Sequence, residues 1–219
     1  MRQRQFDLIV FDWDGTLYDS TALIVLCIQA AARDLGVAVP SQQDAAYVIG
    51  LGLTEALQHA VPGLPASRYS ELVERYRHHY FKDQHAVTLF DGVPGLLQAL
   101  RDRQHQLAIA TGKSRRGLNE AMQAADLNRW FDASRTADET RSKPHPQMLQ
   151  ELMAELGVEP ARTLMIGDTT HDLQLATNAG AASVAVAYGA HAGDALLELA
   201  PLHLAHSVTD LQNWLLHHG

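Results

Sequence analysis

Residues 7–20 read DLIVFDWDGTLYDS: an acid, four apolar residues, two aspartates separated by one tryptophan, then a Gly-Thr turn. A continuous apolar run rich in β-branched residues is how a strand covered on both faces reads, whereas a strand with one wet face alternates. Asp12 and Asp14 follow this run, so their carboxylates are expected at the carboxyl end of the strand. Side chains alternate along a strand, so Trp13 can turn into the core while both acids face a cleft.

Working outward, similar runs recur. With the first strand at 7–13, they are QLAIAT at 106–111, TLMIGD at 163–168, ASVAVAYG at 182–189 and a short LHLA at 202–205. Helical patterns lie between them: VPGLLQALRDRQ, RRGLNEAMQAADL, PQMLQELMAELG and HDLQLATNAG, with Gly157 and Gly180 where helices would stop. This alternation predicts βαβ units, hence an α/β chain with a parallel sheet. One interval breaks the rhythm. From Asp19 to about Phe90 there are only helix-like segments, separated by GVAVPSQQ, GLGLT and VPGLPAS. That is too long for a simple connection, so it predicts an inserted helical cap over residues 19–85, with a core of residues 1–18 and 86–219. GLGLTE at 50–55 opens like a Gly-rich dinucleotide motif, but it ends in Glu and follows no strand.

Composition narrows the function. The net charge of −8 opposes a nucleic-acid partner, because phosphate backbones need a positive surface. Carboxylates could instead hold a divalent cation that draws in an anionic ligand. The one cysteine, Cys27, sits in ALIVLCIQAAA and reads as a buried, inert thiol. No apolar run reaches the ~20 residues needed to cross a bilayer. MRQRQFD leads into a strand without the form of a signal peptide, so the cytoplasm is the expected location and no membrane is expected as partner. The 12 histidines, with pairs at 78–79 and 217–218, are expected at the surface or at helix caps, since neighbouring side chains on a helix point apart.

In open parallel sheets, ligands gather at the carboxyl ends of the strands. Asp12 and Asp14, Thr111 and Asp168 all fall there, Asp172 follows four residues after Asp168, and Lys143 precedes a predicted helix. Each is ordinary alone: Asp-Gly is turn chemistry, a Thr can cap a helix, a lysine is usually solvated. Together, DWDGT, ATGKS, SKPHP and GDTTHD stand in order along the chain. In that order they resemble the haloacid dehalogenase-like (HAD) superfamily, whose motifs are D-x-D-G-T, an apolar run ending in Thr or Ser, Lys-Pro, and G-D-x-x-x-D. Within it, the chain resembles the phosphatase branch, of the phosphoglycolate-phosphatase type.

That resemblance implies a Rossmann-like core with a helical cap, and a Mg²⁺-dependent phosphatase acting on a small phosphorylated metabolite through an aspartyl-phosphate. By it, Asp12 is the nucleophile, while Asp14 protonates the leaving oxygen and later takes a proton from water. Thr111 and the Gly112 N–H bind phosphate oxygens, Lys143 supplies positive charge, and Gly15 lets the loop N–H groups approach. Mg²⁺ is implied on Asp12, the Asp14 carbonyl and Asp168, with Asp172 orienting metal-bound water. The cap is expected to act as a lid, with Tyr18, Arg68, Arg75, Arg77 and Lys82 as candidates for substrate contact. Lys113, Arg115 and Arg116 read as a solvated helix start, with contact to an anionic substrate tail as the alternative. Two alternatives share features: a phosphomutase of the β-phosphoglucomutase type, and a phosphorylated signalling receiver domain. In receivers the phosphorylated Asp ends a later strand, where this chain has Thr111. Oligomeric state is not legible.

Overall fold

The computed structural model describes residues 5–219. Six strands form one sheet in the order β3-β2-β1-β4-β5-β6. They are β1 Leu8–Phe11, β2 Gln106–Thr111, β3 Ala133–Thr136, β4 Thr163–Gly167, β5 Ala182–Val186 and β6 Leu204–Ala205. All neighbours run parallel. The chain winds from β1 outward to β2 and β3, then returns to the other side of β1 for β4, β5 and β6. The order reverses at β1, and there a crevice opens at the carboxyl ends of the strands. Phe11 pairs with both Ile109 and Ile166, so the ends of β1, β2 and β4 fall within two residues of one level.

Alternation along β1 explains why it is apolar throughout. Ile9 and Phe11 join a cluster with Leu97, Leu118 and Leu211, while Leu8 and Val10 join another with Leu149, Leu152 and Leu175. Helices fill most of the chain between β1 and β2, the first four being α1 Thr21–Asp34, α2 Gln42–Tyr47, α3 Leu53–Ala60 and α4 Tyr69–Asp83. The sheet's own helices follow as α5 Val93–Asp102, α6 Arg115–Ala124, α7 Gln147–Leu156, α8 Thr170–Ala179, α9 Gly193–Leu197 and α10 Val208–His218. Helices α7 and α8 end at Gly157 and Gly180. Burying each such Leu, Ile or Val contributes about 1.5–3 kcal/mol.

Helices α1–α4 pack on one another. Ile28, Leu57 and Leu72 belong to an apolar cluster separate from those of the sheet, with Ala190 touching it from the sheet side. The two connecting segments lie side by side: Asp19 donates its N–H to the Thr88 carbonyl at 2.9 Å, and Phe90 to that of Leu17 at 3.0 Å. Cys27 is buried, and burial pushes its thiol up to about 11. Among the described residues no helix is long and apolar enough to cross a membrane.

Strand β3 was not expected. Its sequence, ASRT, carries no apolar run because it is an edge strand paired only with β2. Arg135 there reaches Glu151 and Glu155 on α7, at 2.7 Å each. The first strand is shorter than residues 7–13, because the Trp13 carbonyl accepts from the Leu17 and Tyr18 N–H groups and turns the chain. β5 stops at Val186 rather than Gly189, and β6 is only Leu204–Ala205.

The histidine expectation also fails in part: His105, His171 and His191 are buried. Tertiary contact decides this, between residues far apart in the chain. His171 and His191 both place Nε2 against the Tyr47 carbonyl, at 2.8 and 3.0 Å, and the Tyr47 ring stacks on His191 at 5.2 Å. His191 Nδ1 accepts from the Thr170 N–H at 3.1 Å, which puts its proton on Nε2. The trio ties α2 to the sheet side of the molecule. Burial lowers the pKa of both rings. A lowered histidine pKa gives stability that is present above the unfolded value of ~6.5 and is lost as pH falls through the folded value. Melting temperature is therefore expected to drop below about pH 6, and His171→Gln/His191→Gln is expected to flatten that decline in a melting series from pH 7.5 to 5. Parallel curves for the two proteins would refute it.

Candidate active site

The site starts where β1 ends. Asp12 donates its N–H to the Ile166 carbonyl at 2.9 Å, which holds its backbone against β4. Trp13 is fully buried and lies against Tyr18, with ring centroids 5.6 Å apart. Gly15 has φ +81°, and a Cβ there would run into the Asp168 carboxylate. Only glycine allows this turn to sit so close to that acid.

Behind Asp12 lies a buried charge cluster. Lys143 donates from Nζ to Asp12 Oδ1 at 2.7 Å and to Asp172 Oδ1 at 2.6 Å. All three side chains are essentially inaccessible. Asp172 Oδ2 accepts from the Thr169 N–H and hydroxyl, at 3.1 and 2.6 Å, and the Asp172 N–H donates back to Thr169 Oγ1 at 3.4 Å, so the two residues form the capping box that starts α8. Asp168 accepts from the Thr16 hydroxyl at 2.9 Å and from the Ala190 N–H at 2.7 Å. Asp12 Oδ2 is buried and has no partner among the described residues.

The electrostatics follow from three buried carboxylates, two of which share the Lys143 ammonium. Burial raises Asp12 to about 7, with Lys143 pulling the other way and Asp172 and Asp14 adding to the rise. Asp168 is pushed well above the usual carboxylate range by burial and then by the charges of Asp12 and Asp172. Burial works against the Lys143 ammonium, but its two carboxylates outweigh this and hold it charged. One oxygen from each of Asp12, Asp168 and Asp172 lies within 4.8 Å of the others. Oxygen-only donors, excess negative charge and the unpartnered Asp12 oxygen together suit a hard divalent cation.

A second pair faces the cleft. Asp14 Oδ1 accepts from the Ser20 hydroxyl at 2.6 Å and lies 3.0 Å from Lys113 Nζ. Lys113 also donates to the Tyr80 hydroxyl of α4 at 3.1 Å. This corrects the reading of Lys113 as part of a solvated helix start. Two residues past the end of a central strand, it turns into the crevice, and its distance from Thr111 is the only sequence signal that could have shown it. Burial opposes its charge, yet Asp14 and Tyr80 raise its pKa above the ordinary lysine value. Arg115 and Arg116 do face outward, pairing with Glu139 at 2.6 Å and Glu120 at 2.8 Å. Ser114 rather than Thr111 caps α6.

Thr111 and Gly112 complete the crevice. A Cβ on Gly112 would strike the carbonyl oxygens of Gly50 and Leu51, and Gly52 donates its N–H to Ser142 Oγ at 2.9 Å. The first half of GLGLTE, residues 50–52, is thus a loop leading into α3 and lying across the end of β2. Sheet end and insert enclose a cavity of about 990 Å³, with Asp12, Asp14, Thr111 and Gly112 at one end. Of the cap candidates, Tyr18 and Arg77 line it, whereas Arg68 pairs with Glu71 on the surface and Arg75 and Lys82 are exposed away from its walls. Asp12, Asp14, Gly15, Thr111, Gly112, Lys143, Asp168 and Asp172 therefore converge. Thr16, Ser20 and Thr169 position Asp168, Asp14 and Asp172, and Tyr80 positions Lys113; Thr16 and Thr169 lie inside the quoted motifs, whereas Ser20 and Tyr80 have no signal in the sequence.

The chain matches the haloacid dehalogenase-like hydrolase family over residues 9–186. It is 35% identical over 200 residues to a Dickeya dadantii (strain 3937) protein named "Probable phosphatase IndB", covering 89% of this chain and 86% of that one. It is 30% identical over 203 residues to a phosphoglycolate phosphatase of Synechococcus elongatus, covering 93% and 94%. A solved structure described as a predicted phosphoglycolate phosphatase from Haemophilus somnus 129PT superposes with a TM-score of 0.86 at 25% identity, covering 96% of this chain and 98% of that one.

Proposed function

The chain belongs to the haloacid dehalogenase-like hydrolase family, and on that premise we propose that it is a Mg²⁺-dependent phosphatase of small phosphate monoesters working through an aspartyl-phosphate. The observation that carries this reading is the buried Asp12 oxygen without a partner, facing a crevice that also holds Thr111 and Asp14. The phosphatase names of two relatives support it.

In this reading Asp12 Oδ2 attacks phosphorus as the bond to the leaving oxygen breaks, and Asp14 gives that oxygen its proton. Asp14 then takes a proton from the water that attacks the acyl-phosphate, which releases phosphate and restores Asp12. Lys143 holds the other Asp12 oxygen, so the nucleophile presents one defined lone pair. The Thr111 hydroxyl and the Gly112 N–H bind phosphate oxygens. Asp12, the Asp14 carbonyl and Asp168 would hold the metal, whose bound charge offsets that of the carboxylates and the phosphate. Both Asp172 oxygens are already engaged, by Lys143 and by Thr169. That favours a role for Asp172 in orienting Lys143 and metal-bound water. Residues 19–85 serve as a lid over this chemistry, excluding water when substrate is bound.

Phosphate release from a panel of small monoesters with Mg²⁺ tests the reading. Conversion of a sugar phosphate to its isomer without release would favour the phosphomutase alternative. Asp14→Asn is expected to lower kcat about a thousandfold, and Lys113→Met by about tenfold through loss of orientation at Asp14. Full turnover in Asp14→Asn would remove the acid–base role.

A further inference from the structure

The cavity over Asp12 is far larger than a phosphate needs. At about 990 Å³ it reaches the top of the ~300–1,000 Å³ typical of small-molecule sites. Beyond the catalytic end one part of its wall is apolar, formed by Ile24 and Ile28 of α1, Leu51, and Tyr76, Tyr80 and Phe81 of α4, while Gln84 and His85 also line the space. Tyr76 and Tyr80 stand one helical turn apart with rings nearly parallel, 18° between planes and 5.8 Å between centroids. Phe81 meets Tyr80 edge-on at 77°. Positive charge is scarce in this space. Lys113 is committed to Asp14, and Arg77 is exposed at the rim, where solvent and salt screen it. Glu55 and Asp138 share the walls. A second anionic group on the substrate would meet carboxylates and hydrocarbon here, whereas a flat uncharged ring would stack on the aromatic wall.

Resting on the phosphatase reading above, we infer that the preferred ester is the monophosphate of an alcohol that carries a planar, uncharged ring and no second anionic group, of nucleoside 5′-monophosphate size. The phosphate lies at Asp12 and Thr111, and the ring lies along Tyr76 and Phe81. An ester as small as 2-phosphoglycolate leaves most of the cavity unfilled and brings its carboxylate into an acidic, apolar space.

The test is phosphate release with Mg²⁺ from UMP and AMP, compared with ribose 5-phosphate, which keeps the phosphate and pentose but lacks the base, and with 2-phosphoglycolate. The nucleotides are expected to exceed both comparison esters in kcat/KM by about tenfold or more. Tyr76→Leu and Phe81→Ala are expected to reduce the nucleotide-to-ribose-phosphate ratio by about tenfold, and Tyr76→Phe to keep it. Partial unfolding lowers both rates alike and leaves that ratio unmoved, so the ratio reports the ring contact. Equal or better use of 2-phosphoglycolate or ribose 5-phosphate overturns the inference, as does a ratio unchanged in both variants, while the phosphatase reading stands. If no ester releases phosphate and Asp12→Asn behaves like the parent, the phosphatase reading fails, and this inference with it.

Discussion

On the proposed reading, Asp12→Asn is expected to abolish turnover and at the same time to stabilise the metal-free protein. An amide is not a nucleophile at phosphorus, so phosphate release is expected to fall about ten-thousandfold. The stability change follows from the site's geometry. The amide oxygen can still accept from Lys143, and the amide nitrogen takes the place of Oδ2, which has no partner to lose. What disappears is a buried negative charge. Burial raises the Asp12 carboxyl to about 7 in the fold, against 3.8 for the free group. A raised carboxyl pKa stabilises fully below the unfolded value, and that contribution is lost as pH rises through the folded one. Without metal, the wild type is therefore expected to weaken relative to Asp12→Asn between about pH 4 and pH 7, with the variant melting about 5 °C higher at neutral pH. Adding Mg²⁺ narrows the gap by stabilising the wild type. Melting curves across pH, with and without Mg²⁺, read this directly. Identical curves, or retained turnover in the variant, would contradict the assignment of Asp12.

Lys143→Met has the opposite effect on the fold. Methionine matches the length of the lysine stem but leaves Asp12 and Asp172 facing each other without the ammonium that both contact. Removing one partner of a fully buried ionic cluster costs about 3–5 kcal/mol, which corresponds to roughly 10 °C in melting temperature for a chain of this length. Activity is expected to fall as well, since the proposed nucleophile, Asp12, would no longer be held or shielded. Lys143→Met/Asp172→Asn removes one of the stranded charges, and it is expected to melt higher than Lys143→Met alone. A double-mutant cycle should show coupling of about 1 kcal/mol or more between the two positions. A Lys143→Met protein that melts within a degree or two of the parent would mean that the ammonium does not neutralise this cluster.

Much of this site could be read along the chain because parallel sheets collect ligand-binding groups at one edge. Four strands with continuous apolar runs were legible, and three of them end in or beside Asp12, Thr111 and Asp168. β3 was not legible, since an edge strand has one partner and half-exposed side chains and so needs no apolar run. Lys113 and His171 read as surface residues for a related reason: local periodicity describes a side chain's own element and not the segment packed across from it. Lys113 is covered by Tyr80, 33 residues earlier in the chain, and His171 by Tyr47, 124 residues earlier.

The order of motifs and the apolar runs were enough to specify an α/β sheet with acids at its strand ends, because strand burial and carboxylate placement are written in local pattern. Three further features came only from the folded chain. These are which Asp12 oxygen is free, the sharing of Lys143 between two acids, and the apolar character of the cavity's far wall. Each arises where the insert meets the sheet or where β1 meets α8. Energies at such contacts depend on distance and desolvation between segments remote in sequence, and no window along the chain contains both partners.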